Sequence, residues 1–379
     1  MLRICSMVVI TSNFLYVAIF IILVLYLNSI IVNYNYGWPT SPPFKRPYLR
    51  ALNPIKILQI NREILYYILS FRHINLYFMW KKLYNTAKPP HLYKDIPYSL
   101  NGCRLDIHRS EESVQNNSTL RPIVIYIYGG AWMFGSKQMY CVLAANLANL
   151  TGCVVCCPNY LLVNKGNVVH MLQDLKDCTR WLIDHGKEYG GDPENILFVG
   201  HSSGAHLSIL NLIELISQSY WNTESNNIVR KIKGVIALAG VYDIPQHLLY
   251  EIGRGVEDVS GMYRAMLGVT GLKRYSPYYL VQDMLSRSEN TSSSQEKDSS
   301  LWPHIILLHG ENDTTVPVQQ SEKFYQVVKE LDVTIEYCEL KHLDHTNYII
   351  DMMNANYQIH KIISEIITPN VQKIILRER

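Results

Sequence analysis

The sequence predicts an α/β protein: a mostly parallel sheet with helices on both faces and an inserted cap, preceded by an N-terminal transmembrane helix. Three observations predict it. From about residue 95, short apolar runs alternate with helical patterns, as expected of a parallel sheet covered on both sides. One of those runs, Asn195-Ile-Leu-Phe-Val199, leads through Gly200-His201-Ser202-Ser203-Gly204 into a helical stretch that starts at Ala205. Ahead of all this, Met7 to Val32 carries no charged side chain and exceeds the roughly 20 apolar residues that cross a bilayer as a helix.

The elements follow in chain order. Residues 1–35 read as a retained membrane anchor, because the apolar centre is long and no small-x-small cleavage site follows it. Residues 36–92 form an amphipathic membrane-proximal segment. Within it, Asn61 to Tyr84 mixes aromatic and aliphatic residues with Arg62, Arg72, Lys81 and Lys82, so it lies in a membrane interface or packs on the following domain. Arg3 before the anchor and Lys45, Arg46 and Arg50 after it place the body on the cytosolic side of the membrane, and the expected membrane is that of the endoplasmic reticulum or Golgi. The sequons at Asn116, Asn117, Asn149, Asn290 and Asn312 are then chance matches.

The main domain spans residues 93–370. Strands are expected at Cys103–His108, Ile123–Tyr128, Cys153–Cys157, Asn195–Val199, Lys233–Ala239, His304–His309 and Val333–Glu339. Helices are expected at Gln138–Leu150, Val168–Lys187 and Val318–Leu331. Two stretches break the alternation. Residues 241–281, irregular and aromatic, stand where a cap over a pocket is inserted, and residues 286–300 lack apolar side chains and read as a disordered loop.

A formal charge of +3 gives no surface for nucleic acid. Cys153, Cys156 and Cys157 occupy an apolar strand, where residues three apart face opposite sides, so they read as core thiols rather than a redox pair. Nothing in the sequence has the spacing of a zinc site or of a phosphate-cradling loop, and no cofactor is expected.

A strand, a Gly-x-Ser-x-Gly turn and a helix in that order form the nucleophile elbow of the α/β-hydrolase fold, which exposes Ser202 above the sheet. Acyl transfer by serine requires a base to take the hydroxyl proton and an acid to orient that base, and in this fold they follow as Asp or Glu, then His. Asp313 follows an apolar strand and His345 follows the last strand, and together they supply that order. Other readings stay open: Asp313 as the cap of the next helix, Asp243 as the acid, and His342 as the base. The oxyanion hole falls to Gly129, Gly130 and Ala131 after a strand, together with the backbone N–H of Ser203. Trp132, Tyr160, Arg254 and Tyr263 are candidate pocket residues.

Taken together, Arg104-Leu-Asp106, Gly129-Gly-Ala-Trp132, Gly190-Gly-Asp-Pro193, Gly200 to His206, His309-Gly-Glu-Asn-Asp313 and His345-Thr346 resemble the isoprenylcysteine α-carbonyl methylesterase family of α/β-hydrolases. The resemblance covers roughly residues 93 to 350, and Tyr250 to Arg264 followed by Tyr275-Ser-Pro277 resembles that family's cap segment. It departs at Tyr128, where related esterases often carry His, and at Asn159-Tyr160-Leu161, which replaces a common Asp-Tyr-Arg. The resemblance implies a membrane-anchored enzyme that hydrolyses the methyl ester of a prenylated C-terminal cysteine, with that ester and the lipid bilayer as its partners. Most of the motifs also fit general carboxylesterases, lipases and kynurenine formamidases, and a non-catalytic binding module on the same fold is a further alternative.

Overall fold

The computed structural model describes residues 2–36, 52–69, 71–116, 118–257, 260–290, 299–353 and 363–376. Its centre is an eight-stranded sheet: β1 (Leu92–Pro97), β2 (Arg104–His108), β3 (Arg121–Ile127), β4 (Val154–Pro158), β5 (Gly191–His201), β6 (Ile232–Leu238), β7 (His304–Gly310) and β8 (Ile335–Leu340). Their spatial order is β1-β2-β4-β3-β5-β6-β7-β8. β2 is antiparallel to both β1 and β4, and the remaining pairs are parallel. This is an α/β-hydrolase-like fold.

The central strands are apolar along their whole length because helices cover both faces. β4, β6 and β7 are buried almost throughout. The helix α7 (Ser203–Ser219) is buried on nearly every side. α6 (Val168–His185) turns Met171, Leu172, Leu175, Cys178 and Leu182 inward at helical spacing, and the Asn167 side chain caps it by accepting from Val169 N. The strand order reverses at β3, which has β4 on one side and β5 on the other. A crevice opens outside the strand C-termini at such a switch point, and the loops leaving β3 and β5 border it.

Among the described residues, four helices fill the cap region: α9 (Ile244–Arg254), α10 (Met262–Ala265), α11 (Val269–Arg274) and α12 (Pro277–Asn290). α12 runs through 286–290, the first part of the expected disordered loop, because Met284 and Leu285 still pack against the core. Residues 291–298 of that loop lie outside the described residues. Cys153, Cys156 and Cys157 are fully buried, with Cys156 Sγ 3.8 Å from Cys178 Sγ. Burial pushes the Cys153 thiol up to about 11, so it packs as a small apolar group.

The N-terminal expectation requires correction. Residues 2–36 form helix α1 (Leu2–Tyr36), yet among the described residues no helix is long and apolar enough to cross a membrane. The transmembrane anchor over 1–35, the bilayer as a partner and the single-pass endoplasmic reticulum or Golgi placement are withdrawn with it. The expectation weighed the absence of charge, the length of the apolar centre and the lack of a cleavage site. Polar side chains in the same stretch are engaged with protein: Asn28 Nδ2 donates to Asn61 Oδ1 at 3.2 Å, Asn61 Nδ2 donates to the Leu25 carbonyl at 3.1 Å, and Ser29 is buried. These bonds dock α1 on α2 (Pro54–Leu69).

The segment Asn61–Tyr84 is divided between α2 and α3 (Phe71–Thr86). α3 lays Leu76, Met79, Trp80 and Leu83 against the core, on one side of the helix. α2 reaches the cap through a 2.7 Å ion pair from Lys56 to Glu257.

Candidate active site

Ser202 stands at the junction of β5 and α7 with φ 55° and ψ −120°, a strained conformation for a residue with a side chain. The turn is tight enough to dictate its neighbour: a Cβ on Gly204 would lie 2.0 Å from the Ile127 carbonyl oxygen. Strand β3 therefore passes directly against the start of α7. That helix begins at Ser203, so its first N–H groups are unpaired within the helix and carry its positive end.

The structure brings Ser202, His345 and Asp313 into one chain of hydrogen bonds. His345 Nε2 is 2.9 Å from Ser202 Oγ, and His345 Nδ1 is 2.7 Å from Asp313 Oδ2. With Nδ1 protonated toward the carboxylate, Nε2 is free to accept the serine proton. Asp313 Oδ1 accepts from the backbone N–H groups of Thr315 and Val316, both at 2.8 Å, so the same carboxylate also shapes its own turn. Burial alone would raise the Asp313 pKa. The charge of His345 and hydrogen bonds from His309 and His345 outweigh it and hold the carboxyl well below the usual range.

The other candidates lie elsewhere. Asp243 caps α9, its Oδ1 accepting from Gln246 N at 3.0 Å. His342 is exposed, and its backbone N–H points to Glu311. Asp344 accepts from Thr346 N and Asn347 N at the start of α14 (Asn347–Met353), a local cap rather than a partner for the neighbouring ring.

Beside the serine runs the loop after β3. A Cβ on Gly129 would come 2.8 Å from the His201 carbonyl oxygen and 2.9 Å from Ser202 Cβ, so only glycine lets the loop approach this closely. Ala131 and Trp132 follow with φ 51° and 61°, two consecutive side-chain-bearing residues in the left-handed region. Trp132 is buried and donates its indole N–H to His206 Nδ1 at 3.2 Å; His206 in turn donates from Nε2 to the Tyr275 carbonyl at 2.8 Å.

Of the other candidate pocket residues, Tyr160 is buried, its hydroxyl donating to the Tyr128 carbonyl at 2.8 Å, and Tyr263 is buried beneath Gly268. Arg254 lies over the acid loop, its guanidinium 3.4 Å from the Thr315 carbonyl. Tyr250 of the same helix donates to the Thr314 carbonyl at 2.7 Å, so α9 rests directly on the turn that carries Asp313.

His309, read in the sequence only as part of a motif, is the last residue but one of β7, with Nε2 3.2 Å from Asp313 Oδ2 and Nδ1 2.7 Å from Ser321 Oγ. Its position at the end of a buried strand, one helical turn before an acid, is the sequence signal that could have found it. The 159–161 departure also acquires an account. Asn159 Oδ1 accepts from Tyr128 OH at 3.2 Å and from Lys137 N at 2.8 Å, and Leu161 N donates to Asp174 Oδ2 at 2.8 Å. The loop is therefore tied by the Asn159 amide and by a backbone N–H to the Asp174 carboxylate, with no ion pair at these three residues. Among the described residues, no group of three or more His, Cys, Asp or Glu is placed to hold a metal ion.

Comparison with known proteins agrees with this geometry. The family model described as BD-FAE matches residues 105–328, and the chain belongs to that family. The Oryza sativa subsp. japonica protein named "Probable isoprenylcysteine alpha-carbonyl methylesterase ICMEL1" is 30% identical over 217 residues, 56% of this chain and 47% of that protein. A kynurenine formamidase of Danio rerio is 25% identical over 275 residues, 72% of this chain and 81% of that one. The chain spans about half the length of the methylesterase relatives it matches. Among solved structures, a hyperthermophilic esterase from Pyrobaculum calidifontis superposes with a TM-score of 0.59 at 17% identity, covering 84% of this chain and 98% of that one. At that identity the likeness speaks for the fold.

Proposed function

We propose that this member of the BD-FAE family is a serine carboxylesterase, hydrolysing carboxylic esters through an acyl-enzyme at Ser202. The observation that carries the reading is the continuous chain from Ser202 Oγ to His345 at 2.9 Å and from His345 to Asp313 at 2.7 Å, seated beside a loop pressed against the nucleophile. The narrower reading from the sequence, a membrane-anchored prenylcysteine methylesterase, required the anchor and is set aside with it.

In the reaction, His345 Nε2 takes the hydroxyl proton as Ser202 Oγ attacks the ester carbonyl. Asp313 keeps the imidazole in the tautomer with Nδ1–H and stabilises the imidazolium as it forms. The N–H groups of the Gly129–Ala131 loop and of Ser203 hold the oxyanion, where the loss of one donor typically costs about 2.7–4 kcal/mol. Collapse breaks the ester C–O bond, and the imidazolium gives its proton to the departing alkoxide. Water, deprotonated by His345, then attacks the acyl-enzyme and releases the carboxylic acid and Ser202.

The test is turnover of a panel by the purified chain: short p-nitrophenyl esters, longer acyl esters, a prenylcysteine methyl ester and formylkynurenine. Burst kinetics with p-nitrophenyl esters and loss of both burst and turnover in Ser202→Ala are expected. Turnover of formylkynurenine alone would move the chain to the amidases, and undiminished ester turnover in Ser202→Ala would overturn the reading altogether.

A further inference from the structure

The loop that borders Ser202 closes a turn of its own, with Met133 N and Phe134 N donating to the Gly130 carbonyl at 3.0 and 2.9 Å, but that turn does not hold it alone. Ala131 and Trp132 both sit in the left-handed region, and such a conformation persists only where surrounding contacts over-determine it. The Trp132 bond to His206 and the bond from Val163 N to the Trp132 carbonyl at 3.0 Å restrain it from outside. A further restraint lies at the far end of the loop, at a residue that the reaction itself does not use.

Lys137 is buried, with 1% of its surface exposed. Its ammonium donates to Asp106 Oδ1 at 2.6 Å, to Asp95 Oδ1 at 2.7 Å and to Tyr84 OH at 2.9 Å. An ammonium has three protons, and these three acceptors use them all. Burial opposes the charge, but the three bonds outweigh it and keep the ammonium protonated, while the Lys137 bond holds the Asp95 carboxyl below its ordinary value. The acceptors come from three separate elements: β2, β1 and α3.

The backbone of the same residue closes the loop. Lys137 N donates to Asn159 Oδ1, and that oxygen also accepts from the hydroxyl of Tyr128, the residue immediately before Gly129. One side-chain oxygen after β4 therefore ties both ends of the 128–137 span together, and the Lys137 ammonium bolts that closed loop to the edge of the sheet and to α3.

We propose that Lys137 is a positioning residue for the oxyanion loop, acting through Asp106, Asp95 and Tyr84 to fix where the Gly130 and Ala131 N–H groups stand relative to Ser202. The proposal rests on the carboxylesterase reading above. It assigns the charge cluster a role in the rate of the chemical step rather than in substrate affinity, since no proton of the ammonium remains for a substrate. Small displacements of such donors weaken transition-state binding far more than ground-state binding.

The experiment compares the full chain with Lys137→Met, Lys137→Arg, Tyr84→Phe and the charge-balanced pair Lys137→Met with Asp106→Asn. The readouts are kcat and KM for p-nitrophenyl butyrate and the inhibition constant of a trifluoromethyl ketone, whose hemiketal oxygen occupies the same N–H groups. For Lys137→Met and for the balanced pair, kcat falls by about 10- to 100-fold with KM within about twofold, and the ketone weakens by the same factor as kcat/KM. Lys137→Arg recovers part of the loss, and Tyr84→Phe, which removes one bond and no charge, loses about two- to fivefold in kcat and ketone affinity together.

Lys137→Met leaves Asp106 buried without its partner and will not decide the matter if it fails to fold. The balanced pair and Tyr84→Phe then carry the test. Folded variants that melt earlier but keep wild-type kcat and ketone affinity would overturn the proposal and leave Lys137 a purely structural ion. A wild-type chain that hydrolyses no ester and binds no ketone would instead overturn the carboxylesterase reading.

Discussion

His201 donates its Nε2–H to the backbone carbonyl of His345 at 2.9 Å, and the two rings lie 4.9 Å apart. The residue before the nucleophile thus holds the main chain of the residue that activates it. Burial pushes the His201 imidazole down to about 3, so it stays neutral and keeps this one donor orientation at neutral pH.

His201→Phe keeps a ring in place but removes the donor. It should lower kcat by about 10- to 100-fold with little change in KM, because the His345 loop loses its fastening and a misplacement of about 1 Å is enough for such a loss. His201→Gln, whose amide can donate, should recover part of the rate. Unchanged kcat in His201→Phe would show that the contact between the two histidines has no catalytic consequence.

Histidine substitutions separate the two candidate bases. His345→Ala should lose about four or more orders of magnitude in kcat, as expected when one member of a cooperating set is removed. His342→Ala should retain most activity, since that ring is exposed and its backbone N–H, not its ring, bonds to Glu311 among the described residues. Fluorophosphonate labelling of Ser202 should follow the same pattern. The reverse ranking would move the base to His342.

Much of this site was legible because steric demand wrote it into residue type. Gly129 and Gly204 stand where any side chain would collide with the elbow or with β3, and the serine, acid and histidine each follow a strand in the order the fold requires. Other parts were not. β1 went unseen because Leu92-Tyr-Lys-Asp-Ile-Pro97 is charged and short, a strand made only by pairing with β2 at the sheet edge. No motif in the sequence singles out Lys137, and only the fold brings Asp95, Asp106 and Tyr84 to it. The N-terminal expectation failed for a related reason: apolar length and absence of charge do not show that Asn28 pairs with Asn61 of α2 or that Ser29 is buried.

Acid should destabilise the fold through buried imidazoles. Burial lowers His108, His201 and His247 to about 3 and His206 to about 4. Their folded pKa values lie below the unfolded value of about 6.5, so at acid pH the unfolded chain binds protons that the native chain refuses. The stability they contribute is complete above about pH 6.5 and declines as pH falls toward 3–4, by at most about 1.4 kcal/mol per pH unit per imidazole. Urea midpoints measured from pH 7.5 down to 4.5 should therefore fall, and His206→Gln should flatten the slope by one proton's worth. A midpoint independent of pH over that range would refute the burial argument.

One group in the cap titrates in the opposite sense. Glu251 on α9 is buried, with its Oε1 3.6 Å from His247 Nε2, and burial raises its carboxyl to about 8; the nearby Glu257 adds to the rise, while a hydrogen bond from Ser260 and the charge of Arg254 oppose it. The folded pKa is above the unfolded value of about 4.3, so between those values the native chain holds a proton that the unfolded chain has released. The stability this group contributes is therefore full below about pH 4.3 and lost as pH rises toward 8. Glu251→Gln mimics the protonated carboxyl without titrating. It should have a melting temperature close to wild type at pH 5 and a higher one at pH 8.5, with the gap opening steadily between. Differential scanning fluorimetry of both proteins across that range gives the answer directly. A gap that stays constant, or one that closes as pH rises, would mean that Glu251 is ionised in the folded cap and paired more strongly than its surroundings indicate.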